Sequence, residues 1–314
     1  LVSIQPVYCY PLLSEVMHLL YEFRLYHYTT KEGLLGILNN NKIWGTHIDY
    51  LNDSTELSHG LHLANNELKQ RYERAIDSKE KEKITCLLDE LDTHRVLNIS
   101  VSCLTEERDL LSQWRAYGSR SGGYSIGFNV SNLIKLKNLN NDDLVKVEYG
   151  LEKQKQIISR FIDKSLIKDF NTEPTRYMGE SVKEDGTRCC NYLALAVGGN
   201  FIKNLYSIAP CFKDPSFKEE CEWRLISRIP QKDMSFRTSQ TMLIPYKNLD
   251  LGEKSDYLAS ITIAPNLHMN LSVKAVRILL NKFSFNKEGA FDSAISQNIQ
   301  RIKILQSKIP YRSW

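Results

Sequence analysis

The stretch that most limits what this chain can fold into is Leu25-Tyr26-His27-Tyr28-Thr29-Thr30, followed at once by Gly33-Leu34-Leu35-Gly36-Ile37-Leu38. Aromatic and β-branched residues fill its first half, which suits a short strand. Leu34, Leu35, Ile37 and Leu38 then keep the spacing of one helical face. The reading is strand, turn, helix, with Thr29 or Thr30 as N-cap and Glu32 near the positive end of the helix dipole. A histidine at the end of such a strand, between Tyr26 and Tyr28, stands where a nucleotide could be gripped. The same residue type in an apolar strand also suits a core position with its ring hydrogen-bonded.

Further along, Lys42-Ile43-Trp44-Gly45-Thr46 reads as a second strand, and Tyr50-Leu51-Asn52-Asp53-Ser54-Thr55-Glu56 as a turn opening a helix. Residues 57–95 are helical in period, with Leu61, Leu68, Tyr72, Ile76, Ile84, Leu87, Leu88 and Leu91 as the buried stripe and a solvated bend near Asp77 to Lys83. Val96 to Cys103 alternates as a strand, Leu110 to Gly118 follows it, and Gly122-Gly123-Tyr124-Ser125-Ile126-Gly127-Phe128 leads into another. That glycine pair has neither phosphate-loop nor dinucleotide-fold spacing, which disfavours a P-loop enzyme or a dehydrogenase. Val145 to Tyr149 predicts a strand, Leu151 to Phe170 an amphipathic helix and Cys189 to Ile208 an apolar helix. Glu219, Glu220 and Glu222 crowd the start of a strand from Cys221 to Ile226; an inward-pointing Glu222 needs a partner or a ligand. Strands at Met242–Tyr246, Ser260–Pro265 and Arg301–Leu305, with helices near 273–282 and 288–300, close the pattern.

The hydrophobic share of 42% and charged share of 25% are those of a soluble globular protein, and a formal charge of +4 permits an acidic ligand or nucleic acid. Eight Lys or Arg between Leu267 and Trp314 stand against Glu288 and Asp292, a surface that could meet a phosphate backbone. Seven cysteines without a C-x-x-C pair read as reduced thiols in a cytoplasm, without a metal site. The apolar run from Val7 to Leu20, interrupted by Pro11, Glu15 and His18, reads as an N-terminal arm, residues 1–24, rather than a signal peptide, and no membrane partner is expected.

In order, Leu25–Thr29 with Gly33–Leu38, Trp44-Gly45-Thr46, Tyr50–Glu56, Leu111-Ser112-Gln113-Trp114-Arg115-Ala116-Tyr117-Gly118, Gly122–Phe128 and Glu220-Cys221-Glu222-Trp223-Arg224-Leu225 resemble the bacterial DUF2971 family, from Leu25 to the Pro310-Tyr311-Arg312 close. The histidine strand with its helix and the late glutamate strand further resemble NAD-dependent ADP-ribosyltransferases of the DarT and PARP type. That resemblance implies an α+β fold with a split, mostly antiparallel sheet, a single domain over 25–314, and helical insertions at about 57–95 and 151–208. It implies that His27, with Thr29, holds the adenosine end of NAD, that Glu222 serves the nicotinamide ribose, and that Tyr28 joins His27 and Glu222 in the catalytic and NAD-binding set. An aromatic residue would stack on nicotinamide; Trp44, Tyr50, Tyr117 and Tyr124 all compete for that place, with Trp114 nearby. Arg115, Arg224 or Arg237 could neutralise the pyrophosphate, Arg237 being favoured because it precedes a strand. Glu220-Cys221-Glu222 has the spacing of the arginine-modifying toxins but no Ser-Thr-Ser strand ahead of it.

The chemistry explains the residue types. Cleaving nicotinamide from ribose develops an oxocarbenium-like sugar, which a nearby carboxylate favours. The resemblance implies transfer of ADP-ribose from NAD to a macromolecule, nucleic acid among the candidates, in a bacterial toxin or phage-defence setting, with an inhibitor protein among the candidate partners. An NAD glycohydrolase and a non-catalytic nucleotide-binding regulator are the rivals.

Overall fold

The structure, a computed structural model, describes residues 23–51, 56–92, 98–118, 122–140, 142–168, 180–182, 188–190, 201–228, 230–284 and 302–310. Residues 1–22 of the arm expected over 1–24, the Asn52–Thr55 turn and the helix at 288–300 lie outside these residues, and Arg24 already belongs to the first strand. Among the described residues the strands are β1 (Arg24–Thr29), β2 (Lys42–His47), β3 (Ile99–Thr105), β4 (Tyr124–Asn129), β5 (Asp143–Lys146), β6 (Glu180–Val182), β7 (Arg188–Cys190), β8 (Glu222–Arg228), β9 (Ser235–Thr238), β10 (Leu243–Asp250), β11 (Leu258–Ile263) and β12 (Lys303–Gln306). The helices are α1 (Lys31–Asn40), α2 (Glu56–Arg74), α3 (Ser78–Asp92), α4 (Leu111–Tyr117), α5 (Val130–Asn140), α6 (Leu151–Lys168), α7 (201–208), α8 (Lys254–Tyr257) and α9 (Met269–Ser284).

The opening motif folds as its residues dictate. Thr30 is the N-cap of α1, its Oγ1 accepting from Gly33 N at 3.2 Å, and Leu34, Ile37 and Leu38 are buried. Asn41 ends the helix in the left-handed region at φ 53°, a conformation Asn tolerates better than most residues. Ten strands make one open sheet in which the path β12-β11-β4-β1-β3-β2-β10-β9 is joined by β8 and β5 on the far edge of β3. Every pairing is antiparallel except β11 with β12, so the protein is α+β with a largely antiparallel sheet.

Alternation along the strands covers both sheet faces. One face buries Leu25, Ile43, Phe128, Leu249 and Ile261 under α1, α5, α8 and α9. The other buries Ile99, Val101 and Ile226 under α2, α3, α6 and α7. The helices expected as insertions are therefore the cover of one face of β3 and β8. Two expectations are corrected here. Ile76 is 98% exposed because α2 ends at Arg74 and leaves it in the turn that follows, and Tyr72, still within α2, is 41% exposed because the buried side of the helix runs through Ala64, Leu68 and Ala75. Cys189 and Cys190 lie in β7, hydrogen-bonded to β6, since strand pairing overrides the apolar run that reads as helix; helical residues begin only at 201 among those described.

Two helical glycines give opposite expectations. A Cβ at Gly60 in α2 would sit 2.7 Å from Ala209 Cα and Cβ, whereas one at Gly36 in α1 meets nothing within 4 Å. Gly60→Ala should lower unfolding free energy by about 1–3 kcal/mol through overpacking, and Gly36→Ala should raise it by roughly 0.5–1 kcal/mol through helix propensity. Urea unfolding of the two variants checks both signs.

Candidate functional site

Strand β3 pairs with β8 along its whole length on one edge, from Ile99↔Arg228 to Thr105↔Glu222. Its other edge is shared. Strand β1 meets it only at Tyr26↔Thr105, and β2 only at Thr46↔Val101 and His47↔Ser100. Between those contacts β1 and β2 diverge, and the carbonyl of Cys103 is left without a strand to accept from. His27 fills the gap, with its Nδ1 2.9 Å from the Cys103 oxygen. A carbonyl only accepts, so Nδ1 carries the proton. Burial lowers the imidazole pKa below 6.5 and outweighs the opposing pull of the carbonyl. At neutral pH the ring is neutral, and Nε2 is left with a lone pair.

The register sets Tyr26, Thr105 and Glu222 side by side across β1, β3 and β8. The turn before Glu222 is pinned to β3: Thr105 Oγ1 donates to Glu220 O at 2.6 Å and Glu106 N to Cys221 O at 3.1 Å. Cys221 takes φ 44°, a left-handed conformation rare for a residue with a Cβ, and this reverses the chain from the 3-10 turn Pro215–Glu220 into β8.

Glu222 is 4% exposed and satisfied by two cations. Arg224 donates through Nε to Oε1 at 2.9 Å and through Nη2 to Oε2 at 3.1 Å, and its Nη1 is held by Pro210 O at 2.7 Å. Lys213 Nζ donates to Glu222 Oε2 at 3.0 Å and to Glu220 Oε2 at 2.6 Å. The Cys103 thiol adds a further hydrogen bond. Burial alone would raise the Glu222 pKa, but Arg224 and Lys213 outweigh it and hold the carboxyl at about 2. Two carboxylates against two cations make the cluster neutral, which is the condition for burying it at tolerable cost.

These groups line one cleft with His27. Its walls are Tyr26, His27, Tyr28, Cys103, Leu104, Thr105, Gln113, Tyr117, Glu220 and Glu222, around a volume of about 40 Å³. Burial raises the Tyr117 phenol pKa, and the charges of Glu220 and Glu222 push it the same way. Tyr28 OH donates to Glu107 O at 2.9 Å and accepts from Leu110 N at 2.8 Å, tying the loop before α4 to β1.

Of the residues singled out from sequence, the cleft brings together His27, Tyr28, Tyr117 and Glu222. Trp114 lies behind the wall, edge-on to Tyr28 with centroids 4.5 Å apart, its Nε1 donating to Asp109 at 2.8 Å. Arg224 is fully buried behind Glu222. Thr29 and Tyr124 face each other across the β1–β4 ladder at its far end, and Arg115 is exposed on α4. Tyr50 packs edge-on against His47 at 5.7 Å. Trp44 and Arg237 meet each other on the β2–β10–β9 part of the sheet, outside the cleft. Sequence reasoning did not single out Lys213, Cys103, Thr105 or Gln113. Gln113 stands inside the Ser112-Gln113-Trp114 motif, but nothing local marks Lys213, which lies nine residues from its partner.

Two outcomes follow from this geometry. His27→Ala leaves the Cys103 carbonyl without its donor and should cost about 1–3 kcal/mol, whereas His27→Asn, whose Nδ2 replaces Nδ1, should cost less; urea melts separate them. Because the folded Glu222 carboxyl sits below its ordinary 4.5, its contribution is fully present above that pH and is lost as pH falls towards 2. The loss is about 3 kcal/mol, and the acid slope of stability should be shallower in Glu222→Gln.

Neither a curated protein nor a solved structure matches the chain. A family model does, over a segment running from Gln113 in α4 to Leu225 in β8, which includes Tyr117, Glu220 and Glu222 and leaves out β1. Residues 113–225 match the family described as "Protein of unknown function (DUF2971)".

Proposed function

We propose that this chain transfers ADP-ribose from NAD to a macromolecular acceptor, using the divided sheet in the manner of an ADP-ribosyltransferase. The observation that carries the reading is that His27 and Glu222, 195 positions apart in sequence, line the same cleft. In this reading the His27 Nε2 lone pair accepts a hydrogen bond from a ribose hydroxyl, and its orientation is fixed by the Cys103 carbonyl. Glu222, ionised at any physiological pH, is a poor proton acceptor. Its part is to take a hydrogen bond from the reacting ribose and to favour the positive charge that develops there. The bond between the nicotinamide nitrogen and C1′ breaks with its electron pair on nicotinamide, which leaves neutral. A nucleophile of the acceptor forms the new bond to C1′ and loses its proton to solvent.

The cleft volume of about 40 Å³ has room for a few water-sized groups. A ligand site commonly spans about 300–1,000 Å³. NAD binding in this reading therefore includes an outward movement of the cleft walls. The small volume and the fully paired Glu222 favour one alternative, a nucleotide-binding regulator without turnover.

The test is incubation with NAD labelled in its adenylate part and a bacterial lysate, following released nicotinamide and transferred label. Wild type should do both, and Glu222→Gln and the better-folded His27→Asn should each be slower by about 10²-fold or more. NAD consumption without a labelled product selects a glycohydrolase. Binding of NAD without nicotinamide release selects the regulator and ends the transferase reading.

A further inference from the structure

We propose that the open sheet face made by Trp44, Tyr246 and Arg237 is a binding site for single-stranded nucleic acid. The register puts these side chains on one face: Tyr246 pairs with Thr46, Asn248 with Trp44, and Ile244 with Arg237. Trp44 is 46% exposed, an unusual state for the largest apolar side chain on a strand. Its ring lies 4.7 Å from that of Tyr246 at 41°. The Arg237 guanidinium stands 5.5 Å from the Trp44 centroid, and Nη2 donates to Thr46 Oγ1 at 3.1 Å.

Among the described residues Arg237 forms no ion pair with a carboxylate, and its Nε is buried without a hydrogen-bond acceptor. Burial lowers its pKa, and among the described residues no carboxylate is paired with this half-buried cation. A guanidinium fixed in this way lacks an oxyanion ligand, and a phosphate suits its donor fork. Two aromatic rings next to an arginine on an exposed antiparallel face provide what an unpaired base and its phosphate need. An acidic peptide would use the guanidinium but leave the two rings idle. The site lies on strands outside the His27–Glu222 cleft, so it stands whether or not the cleft processes NAD.

The test uses the full chain and a fluorescein-labelled deoxythymidine 12-mer in an anisotropy titration at several salt concentrations, with tryptophan quenching read in parallel. Wild type should bind, quench, and weaken linearly in log affinity against log salt. Trp44→Leu should weaken binding by about tenfold or more and abolish most quenching. Arg237→Gln should weaken binding and reduce the salt slope by about one. Circular dichroism melts of both variants keep loss of binding distinct from loss of fold. No binding by wild type at low salt, equal affinity in both variants, or equally effective competition by poly-glutamate would overturn the proposal.

Discussion

Where β1 and β2 part along one edge of β3, a sheet carbonyl would be buried without a donor, and the His27 imidazole supplies it at 2.9 Å. An unpaired buried carbonyl costs on the order of 1–3 kcal/mol, so this contact makes the divergence of the two half-sheets tolerable. It also dictates the state of the histidine. With Nδ1 committed as donor and the ring desolvated, Nε2 is an acceptor at neutral pH. Structure and chemistry are thus joined in one side chain: the hydrogen bond that closes the sheet is the one that sets what the ring can offer a ligand.

The other end of the cleft follows a different logic. Glu222 opens β8 with its backbone N donating to Tyr149 OH at 3.0 Å, its carbonyl accepting from Val147 N at 2.9 Å and its carboxylate held by Arg224 and Lys213. Such a carboxylate is rigid and permanently charged, and it is correspondingly poor at moving protons. Removing its charge would strand two buried cations, which makes the cluster both a structural element of the β3–β8 pair and a fixed electrostatic feature of the cleft.

Much of this was legible in the sequence where the signal is local. The β1–α1 motif announces itself by strand alternation, a Thr cap and a helical stripe, and the α6 periodicity from Leu151 is continuous. Glu222 could be singled out because a glutamate within an apolar alternation must find a partner, and Arg224, two residues on along the same strand face, is one. Non-local choices were not legible. No pattern in Lys213 says that it reaches Glu222, and Cys103 earns its place only because β1 and β2 separate on either side of it. Trp44 is close to His27 in sequence, yet β2 leaves β3 on the opposite side of the gap and carries the indole to Tyr246 and Arg237. Ile76 keeps helical spacing with Tyr72, but α2 ends at Arg74 and leaves Ile76 exposed in the turn that follows.

Nitrogen-15 NMR of the histidine rings across a pH series tests the His27 contact directly. A neutral His27 protonated at Nδ1, with Nε2 bare and a titration midpoint below the ordinary 6.5, is the predicted result. An Nε2-protonated ring, or a His27 that titrates at 6.5 like a solvated imidazole, would contradict it.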